Sequence, residues 1–203
     1  SLQILTTFLV FCLLFLPSVP QSVEIQALLD FKDHLDDPFN HLESWKDSNS
    51  PCHFYGVSCD QNSGLVTEIS LDGKSLSGVI SPSISQLQSL TSLRLPSNML
   101  SGSLPSELTN CTNLKVLNVT GNNMNGSLPD LSRLTKMEVL DLSINYFSGK
   151  FPPWFGNLTG LVSLGLGDNS YDVGEIPDTF GNLKNLTWLY LAGSNLIVEI
   201  PES

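Results

Sequence analysis

Apolar residues recur along most of this chain with a period of about two dozen residues. Each period opens on an apolar residue, and three residues later a short alternation of apolar and polar positions begins, as at Leu90, Leu93 and Leu95. The periods open 24, 24, 23, 24 and 25 residues apart, at Val66, Leu90, Leu114, Met137, Leu161 and Leu186. A fixed spacing of this size predicts six structural repeats, each with one strand and one return segment. These repeats are here called coils 1 to 6.

The alternation within each period predicts where the strand side chains point. Successive strand residues face opposite sides, so Leu93 and Leu95 point into the coil while Ser92 and Arg94 point outward. The predicted strands are centred on Ile69, Leu93, Leu117, Leu140, Leu164 and Leu189. Stacking the coils therefore creates a parallel sheet with an open outward surface.

Polar and small residues follow each strand at fixed positions. Asn98 lies where the chain leaves its strand, and its amide is expected to bond backbone groups of the neighbouring coil. Asn122, Asn145 and Asn169 occupy the same position. The glycines that follow, which are expected to supply backbone freedom, are Gly102, Gly126, Gly149 and Gly174. Together these features indicate an α/β repeat fold, a right-handed leucine-rich repeat solenoid with a parallel concave β-sheet.

The first residues of the chain have a different character. The segment from Leu2 to Leu16 is almost entirely apolar, and Pro17 and Pro20 follow it. This pattern is typical of a secretory signal peptide, and the segment is short for a membrane span. We interpret residues 1–22 as a signal peptide that is incomplete at its start, which places the chain in the secretory pathway. A membrane anchor is the alternative.

Residues 23–64 are predicted to form a cap on the first coil. Apolar residues at helical spacing predict one helix, and Asp37 with Pro38 predicts a second, short helix that carries Leu42 and Trp45. The apolar residues of the first helix are Ile25, Leu28, Phe31 and Leu35. A solenoid needs such a cap because its first coil otherwise exposes its leucines. Six repeats, the last incomplete, are assigned to residues 65–203.

In a secreted protein, cysteines can form disulfides and asparagines in N-x-S/T sequons can carry N-glycans. Cys52 and Cys59 are predicted to form a disulfide, and Cys111, which replaces a coil leucine, is predicted to be a buried free thiol. Five N-x-S/T sequons predict N-glycans, at Asn110, Asn118, Asn125, Asn157 and Asn185. Asn118 differs from the others because the alternation places it on the outward face of a strand, where a glycan would obstruct a ligand. An unused sequon is the alternative.

Charge and motifs narrow the possible functions. The formal net charge of −11 argues against nucleic acid or an anionic membrane surface as a partner. Neither paired carboxylates on one predicted face nor the motifs of serine hydrolases and zinc proteases are found. His53 has no further histidines at ligand spacing, so we expect no metal, and we expect no cofactor. This chain is therefore interpreted as a binding module and not as an enzyme.

The segment from Ile25 to Cys59, joined to coils of L-x-x-L-x-L-x-x-N-x-L-x-G-x-I-P type, resembles the ectodomain of plant leucine-rich repeat receptor-like kinases. The segments SPSISQLQSLTSLRLPSN, LVSLGLGDNSYDVGEIP and LTWLYLAGSNL are similar to the receptor kinases for C-terminally encoded peptides. The resemblance implies the extracellular face of the plasma membrane, the apoplast, as location. It also implies a secreted peptide hormone as ligand, a leucine-rich repeat co-receptor kinase as partner, and a cytoplasmic Ser/Thr kinase in the parent protein.

A stand-alone secreted defence protein of the polygalacturonase-inhibitor type is the alternative, because it uses the same coils and a similar cap. For a peptide receptor, the predicted ligand contacts are Trp188 and Tyr190, with Arg94, Asp141 and Asp168 as weaker candidates. The argument is that large rings on an outward face often carry much of the binding energy. The alternative is that both rings only pack on the sheet.

Overall fold

The computed structural model describes residues 19–197, with side chains from residue 23 onward. Residues 1–18 of the predicted signal peptide, and the end of the last repeat from residue 198, lie outside the described residues. The α-helix α1 spans Val19–Asp33. Short 3-10 helices within residues 19–197 span Pro51–His53, Pro82–Gln86, Ser106–Asn110, Pro153–Asn157 and Asp178–Asn182.

Thirteen short strands make up two sheets in the described part of the chain. In chain order they are β1 (Leu35–Asp36), β2 (Val57–Cys59), β3 (Val66–Ser70), β4 (Ser77–Val79), β5 (Ser92–Arg94), β6 (Met99–Gly102), β7 (Val116–Asn118), β8 (Asn123–Ser127), β9 (Val139–Asp141), β10 (Tyr146–Gly149), β11 (Ser163–Gly165), β12 (Ser170–Tyr171) and β13 (Trp188–Tyr190).

The first sheet, here called the concave sheet, confirms the predicted repeat. Its order is β13-β11-β9-β7-β5-β3-β2, and the six coil strands pair in parallel. The predicted centre residues lie in these strands and pair with one another across the sheet, and from Ile69 to Leu164 they are fully buried. The cap strand β2 extends the sheet by pairing antiparallel with β3. The cap and the first coil therefore share one sheet.

A second sheet, here called the lateral sheet, is not predicted by the alternation. Its order is β1-β4-β6-β8-β10-β12, with β1 antiparallel to β4 and the remaining pairs parallel. The second strand of each coil lies where the chain has just left the concave sheet. Glycines in these strands explain part of the geometry: Gly102, Gly126 and Gly149 have positive φ. Gly174 was expected to do the same, but it is not among the positive-φ residues.

The asparagine ladder is formed as predicted. Asn98 donates from Nδ2 to Leu71 O (2.8 Å) and to Leu95 O (3.0 Å), while its Oδ1 accepts from the backbone N–H groups of Lys74 (2.9 Å) and Leu76 (3.1 Å). Asn122, Asn145 and Asn169 also bridge to the preceding coil, and all four are largely buried. Each ladder residue thus bonds two coils to each other. Because an unpaired buried polar group costs roughly 1–3 kcal/mol, loss of these bonds would destabilise the stack.

The cap closes the first coil through α1 and a ring cluster. Trp45 is buried between Phe31 and Phe54, with ring centroids 6.3 and 5.4 Å away. The Glu24 carboxylate accepts from the Val66 N–H at 3.0 Å, and so holds α1 against the first coil strand. The predicted disulfide is confirmed between Cys52 and Cys59.

Two details of the cap prediction are wrong. Leu35 lies beyond the end of α1 and forms β1, because the chain pairs there with Gly78, whose missing Cβ permits close approach to His34 O. The segment from Asp37 forms turns and not a second helix. The Asp37 carboxylate accepts from the Leu42 N–H at 2.7 Å, but Asn40 has a φ of 56°, which interrupts a right-handed helix.

Candidate ligand-binding surface

The outward side chains of the concave sheet, here called the concave face, change character from one end to the other. Toward the cap, charged groups are paired between coils: Arg94 Nε in coil 2 lies 3.9 Å from Asp72 Oδ2 in coil 1. Beside the sheet, Lys115 Nζ just before β7 lies 2.9 Å from Glu138 Oε1 just before β9. All four side chains are partly exposed, and such pairs contribute about 0–1 kcal/mol. Arg94, a predicted weaker contact, therefore already has an acidic neighbour.

The last described strand, β13, carries two aromatic rings instead. The centroids of Trp188 and Tyr190 are 6.0 Å apart with an angle of 28° between the ring planes, so the rings are stacked. Trp188 is 46% exposed. The alternation thus places both rings on the concave face, as predicted.

The two rings lie over glycines of the preceding coil. A Cβ atom on Gly165 would lie 3.2 Å from Trp188 Cζ3, and a Cβ atom on Gly167 would lie 2.7 Å from Tyr190 Cε1. These two glycines leave the space that the rings occupy. The rings therefore pack on the sheet and remain partly exposed at the same time, which combines the two alternatives raised by the sequence.

Two carboxylates border the ring pair. Tyr190 Oη donates a hydrogen bond to Asp168 Oδ2, and this bond is the main cause of the raised pKa of the Tyr190 phenol. Asp141 Oδ1 lies against Gly165 and accepts hydrogen bonds from the backbone N and the hydroxyl of Ser143. The result is a polar rim beside an apolar, partly exposed surface.

Four of the five predicted contact residues thus come together at one end of the concave face. Arg94 does not join them, because its strand β5 is separated from the Asp141 strand β9 by β7. The sequence analysis missed the role of Gly165 and Gly167 beneath the rings. The available signal was that two small outward residues in coil 5 precede two aromatic outward residues in coil 6.

Four of the five sequon asparagines lie outside the concave sheet and are exposed. Asn110 and Asn157 end 3-10 helices, Asn125 lies in β8, and Asn185 lies in the loop before β13. Asn118 lies on the concave face, at the end of β7. The free Cys111 is buried, and burial raises the pKa of its thiol to about 11.

No group of three or more His, Cys, Asp or Glu side chains among residues 19–197 is arranged to hold a metal ion. No helix within the same residues has the length and apolar character needed to cross a membrane.

The geometry defines a capped leucine-rich repeat protein, and comparisons with known proteins agree. Residues 22–60 match the leucine rich repeat N-terminal domain, and residues 89–111, 113–134 and 135–197 match leucine rich repeats. The chain is 58% identical over 190 residues to the receptor protein-tyrosine kinase CEPR2 of Arabidopsis thaliana, covering 94% of this chain and 19% of that protein.

Two solved structures are also similar. The complex of PEPR1 with AtPEP1 matches with a TM-score of 0.77 and 35% identity, over 82% of this chain and 24% of that one. The Arabidopsis receptor kinase HAESA, in complex with the peptide hormone IDA and the co-receptor SERK1, matches with a TM-score of 0.65 and 34% identity, over 87% and 34% of the two chains. The chain belongs to the leucine-rich repeat family and has the N-terminal domain and repeats of plant receptor-kinase ectodomains. It spans about a fifth of the length of CEPR2.

Proposed function

We propose that this chain is part of the extracellular, ligand-binding region of a plasma-membrane receptor kinase that perceives a secreted peptide hormone. The observation that carries the proposal is the exposed ring pair Trp188 and Tyr190, seated on glycines and bordered by Asp168 at one end of the concave face. Aromatic anchors of this kind often contribute 2 kcal/mol or more when a partner buries them.

The relatives support this proposal and indicate the class of ligand. CEPR2 is named as a receptor kinase, and PEPR1 and HAESA were each solved with a peptide. Together with the sequence resemblance, they favour a C-terminally encoded peptide as ligand and a leucine-rich repeat co-receptor kinase as partner. They also favour a protein kinase in the parent protein, and passage through the secretory pathway to the apoplastic face of the membrane. Ser/Thr specificity of that kinase is implied by the sequence resemblance, whereas CEPR2 is named as a protein-tyrosine kinase.

The size of the concave sheet limits what this chain contributes. Six coil strands spaced ~4.8 Å apart make a sheet roughly 24 Å wide. An extended peptide of about a dozen residues is on the order of 40 Å long. The chain therefore supplies one part of the binding surface, and the remaining contacts belong to coils beyond it in the parent ectodomain.

The test uses the complete secreted ectodomain of the parent protein. We expect isothermal titration with a synthetic C-terminally encoded peptide to show saturable binding, and a peptide of the same composition in scrambled order to show none. In cells, the peptide should increase phosphorylation of the full-length protein. Equal heats for the two peptides, with no change in phosphorylation, would contradict the proposal and favour the defence-protein alternative.

A further inference from the structure

Among the five sequon asparagines, Asn118 alone lies on the concave face. It is the last residue of β7, and its strand partners are Arg94 on β5 and Asp141 on β9. A group attached to its side chain would therefore stand in the middle of the proposed ligand-binding surface.

Within the described residues, the local hydrogen bonds do not engage Nδ2 of Asn118, the side-chain nitrogen to which a glycan would be attached. Its Oδ1 accepts from the Thr120 backbone N–H at 3.0 Å, which fixes the side-chain amide, and within the described residues its Nδ2 donates no hydrogen bond. The ladder residue Asn122 provides the contrast, because its Nδ2 donates to Leu95 O at 3.0 Å and to Val119 O at 2.9 Å. Asn118 thus presents an unengaged amide nitrogen on an open face, as an N-linked glycan requires.

Thr120 completes the sequon and also holds this part of the sheet. Its Oγ1 lies 3.0 Å from Ser143 O and 2.9 Å from Ser143 Oγ, so it bonds to the next coil. Thr120→Ser keeps the hydroxyl and the sequon, and Thr120→Val keeps the shape and loses both. Asn118→Gln separates the two roles, because it removes the sequon and leaves the Thr120 hydroxyl in place.

We propose that Asn118 carries an N-glycan that covers the middle of the concave face and confines a peptide ligand to the coils that follow. Neighbouring strands are ~4.8 Å apart, about the width of one sugar ring, so the first sugars cover Arg94 and Asp141. The ring pair lies over Gly165 and Gly167 of coil 5, two strands or roughly 10 Å from β7, and stays accessible beyond the first sugars. The confinement of the ligand rests on the proposed function, whereas glycan occupancy and coverage do not.

Occupancy is tested on the secreted ectodomain produced in plant cells, by glycopeptide mass spectrometry before and after peptide N-glycosidase A. The peptide containing Asn118 should be glycosylated in the parent and in Thr120→Ser, and unmodified in Asn118→Gln and Thr120→Val. Recovery of an unmodified Asn118 peptide from the parent protein would overturn the inference and would leave the proposed function intact.

Coverage is tested by the rate at which a maleimide-polyethylene glycol labels an introduced thiol. Ser92→Cys places the thiol on β5 of the concave face, and Ser106→Cys places it on the exposed return side as a control. The native Cys111 is buried and does not compete. Adding Asn118→Gln should speed labelling at position 92 several-fold and leave position 106 unchanged. Equal rates at position 92 would show that the glycan does not cover the face.

Confinement is tested by titrating the synthetic C-terminally encoded peptide into the parent and Asn118→Gln ectodomains. If the glycan confines the peptide, its removal opens the middle of the concave face, and the Asn118→Gln ectodomain should bind the peptide at least about threefold more tightly than the parent. Equal affinities of the two proteins would show that the glycan does not confine the ligand. Absence of binding by both proteins, with Asn118 occupied, would overturn the proposed function and the confinement and leave the glycan site established.

Discussion

The two ends of the concave face use the same scaffold for different surfaces. On β3, β5 and β7 no outward residue is aromatic, and Arg94 is paired with Asp72 in the neighbouring coil. On β13 the outward residues are Trp188 and Tyr190, which lie over glycines. In an exposed charge pair, each charged group already has a partner of opposite charge. Partly exposed rings, in contrast, retain apolar surface that a ligand can bury. This difference is the basis for proposing ligand contact at β13 rather than at β3, β5 and β7.

From coil 1 to coil 5 the inward positions show no such difference, whereas Leu189 on β13 is 44% exposed. Ile69 in coil 1 and Leu164 in coil 5 are both fully buried, and the ladder residues Asn98 and Asn169 make the same kinds of bond to the coil before them. Because the interior fixes the coil, the outward residues are free to vary. A substitution that tests the difference between the two ends must therefore be made at an outward position.

The largest effect is expected from Gly167→Ala, which fills the space beneath the rings. The new Cβ would lie 2.6 Å from Ala192 O and 2.7 Å from Tyr190 Cε1, so both the backbone and the ring have to shift. Overpacking of this kind costs typically 1–3 kcal/mol. We expect a lower melting temperature and, because both rings are displaced, more than about a thirtyfold loss of affinity for the C-terminally encoded peptide in the complete ectodomain.

Gly156→Ala is the matched control for this substitution. A Cβ on Gly156 would collide with Thr179 O, in the contact between two return segments and away from the concave face. The melting temperature should fall by a similar amount while peptide affinity stays unchanged. If both variants lose affinity equally, the effect of Gly167→Ala is general destabilisation and the comparison of the two ends fails.

The second effect, in order of size, is on affinity alone. Trp188→Ala and Tyr190→Ala should each weaken peptide binding by about 2 kcal/mol, or roughly thirtyfold, because each removes a ring that the ligand would bury. The melting temperature should change little, since both rings lie on the surface. Isothermal titration and calorimetric melting of the complete ectodomain measure the two quantities.

Tyr146→Ala is the control for ring loss. Tyr146 is a more exposed ring, at 59%, but it lies on β10 of the lateral sheet. Its removal should leave the affinity unchanged. If the Trp188 and Tyr190 variants also keep their affinity, these rings are structural and the peptide binds wholly on coils of the parent ectodomain outside this chain.

How far the sequence predicts this molecule depends on which interactions determine each feature. Leu93 and Asn98 are predictable because buried residues must recur with every coil. The lateral strands are not, because residues such as Met99 and Ser101 pair through their backbones and show no apolar alternation. The fit of Trp188 over Gly165 is also hidden, since it depends on how a ring leans across two strands that lie 25 residues apart along the chain.

The smallest effect is expected at the other end of the face, from Arg94→Gln. The substitution removes one charge of the Arg94–Asp72 pair, whose side chains are 39% and 46% exposed. Because solvent screens such a pair, the shift in melting temperature should correspond to a change of less than about 0.5 kcal/mol in the free energy of unfolding. Peptide affinity should change less than about twofold, because the proposed glycan on Asn118 and the ring pair on β13 both direct the ligand away from β5. A tenfold loss of affinity in Arg94→Gln, at unchanged melting temperature, would place the ligand on the early coils. It would also reverse the contrast between the two ends.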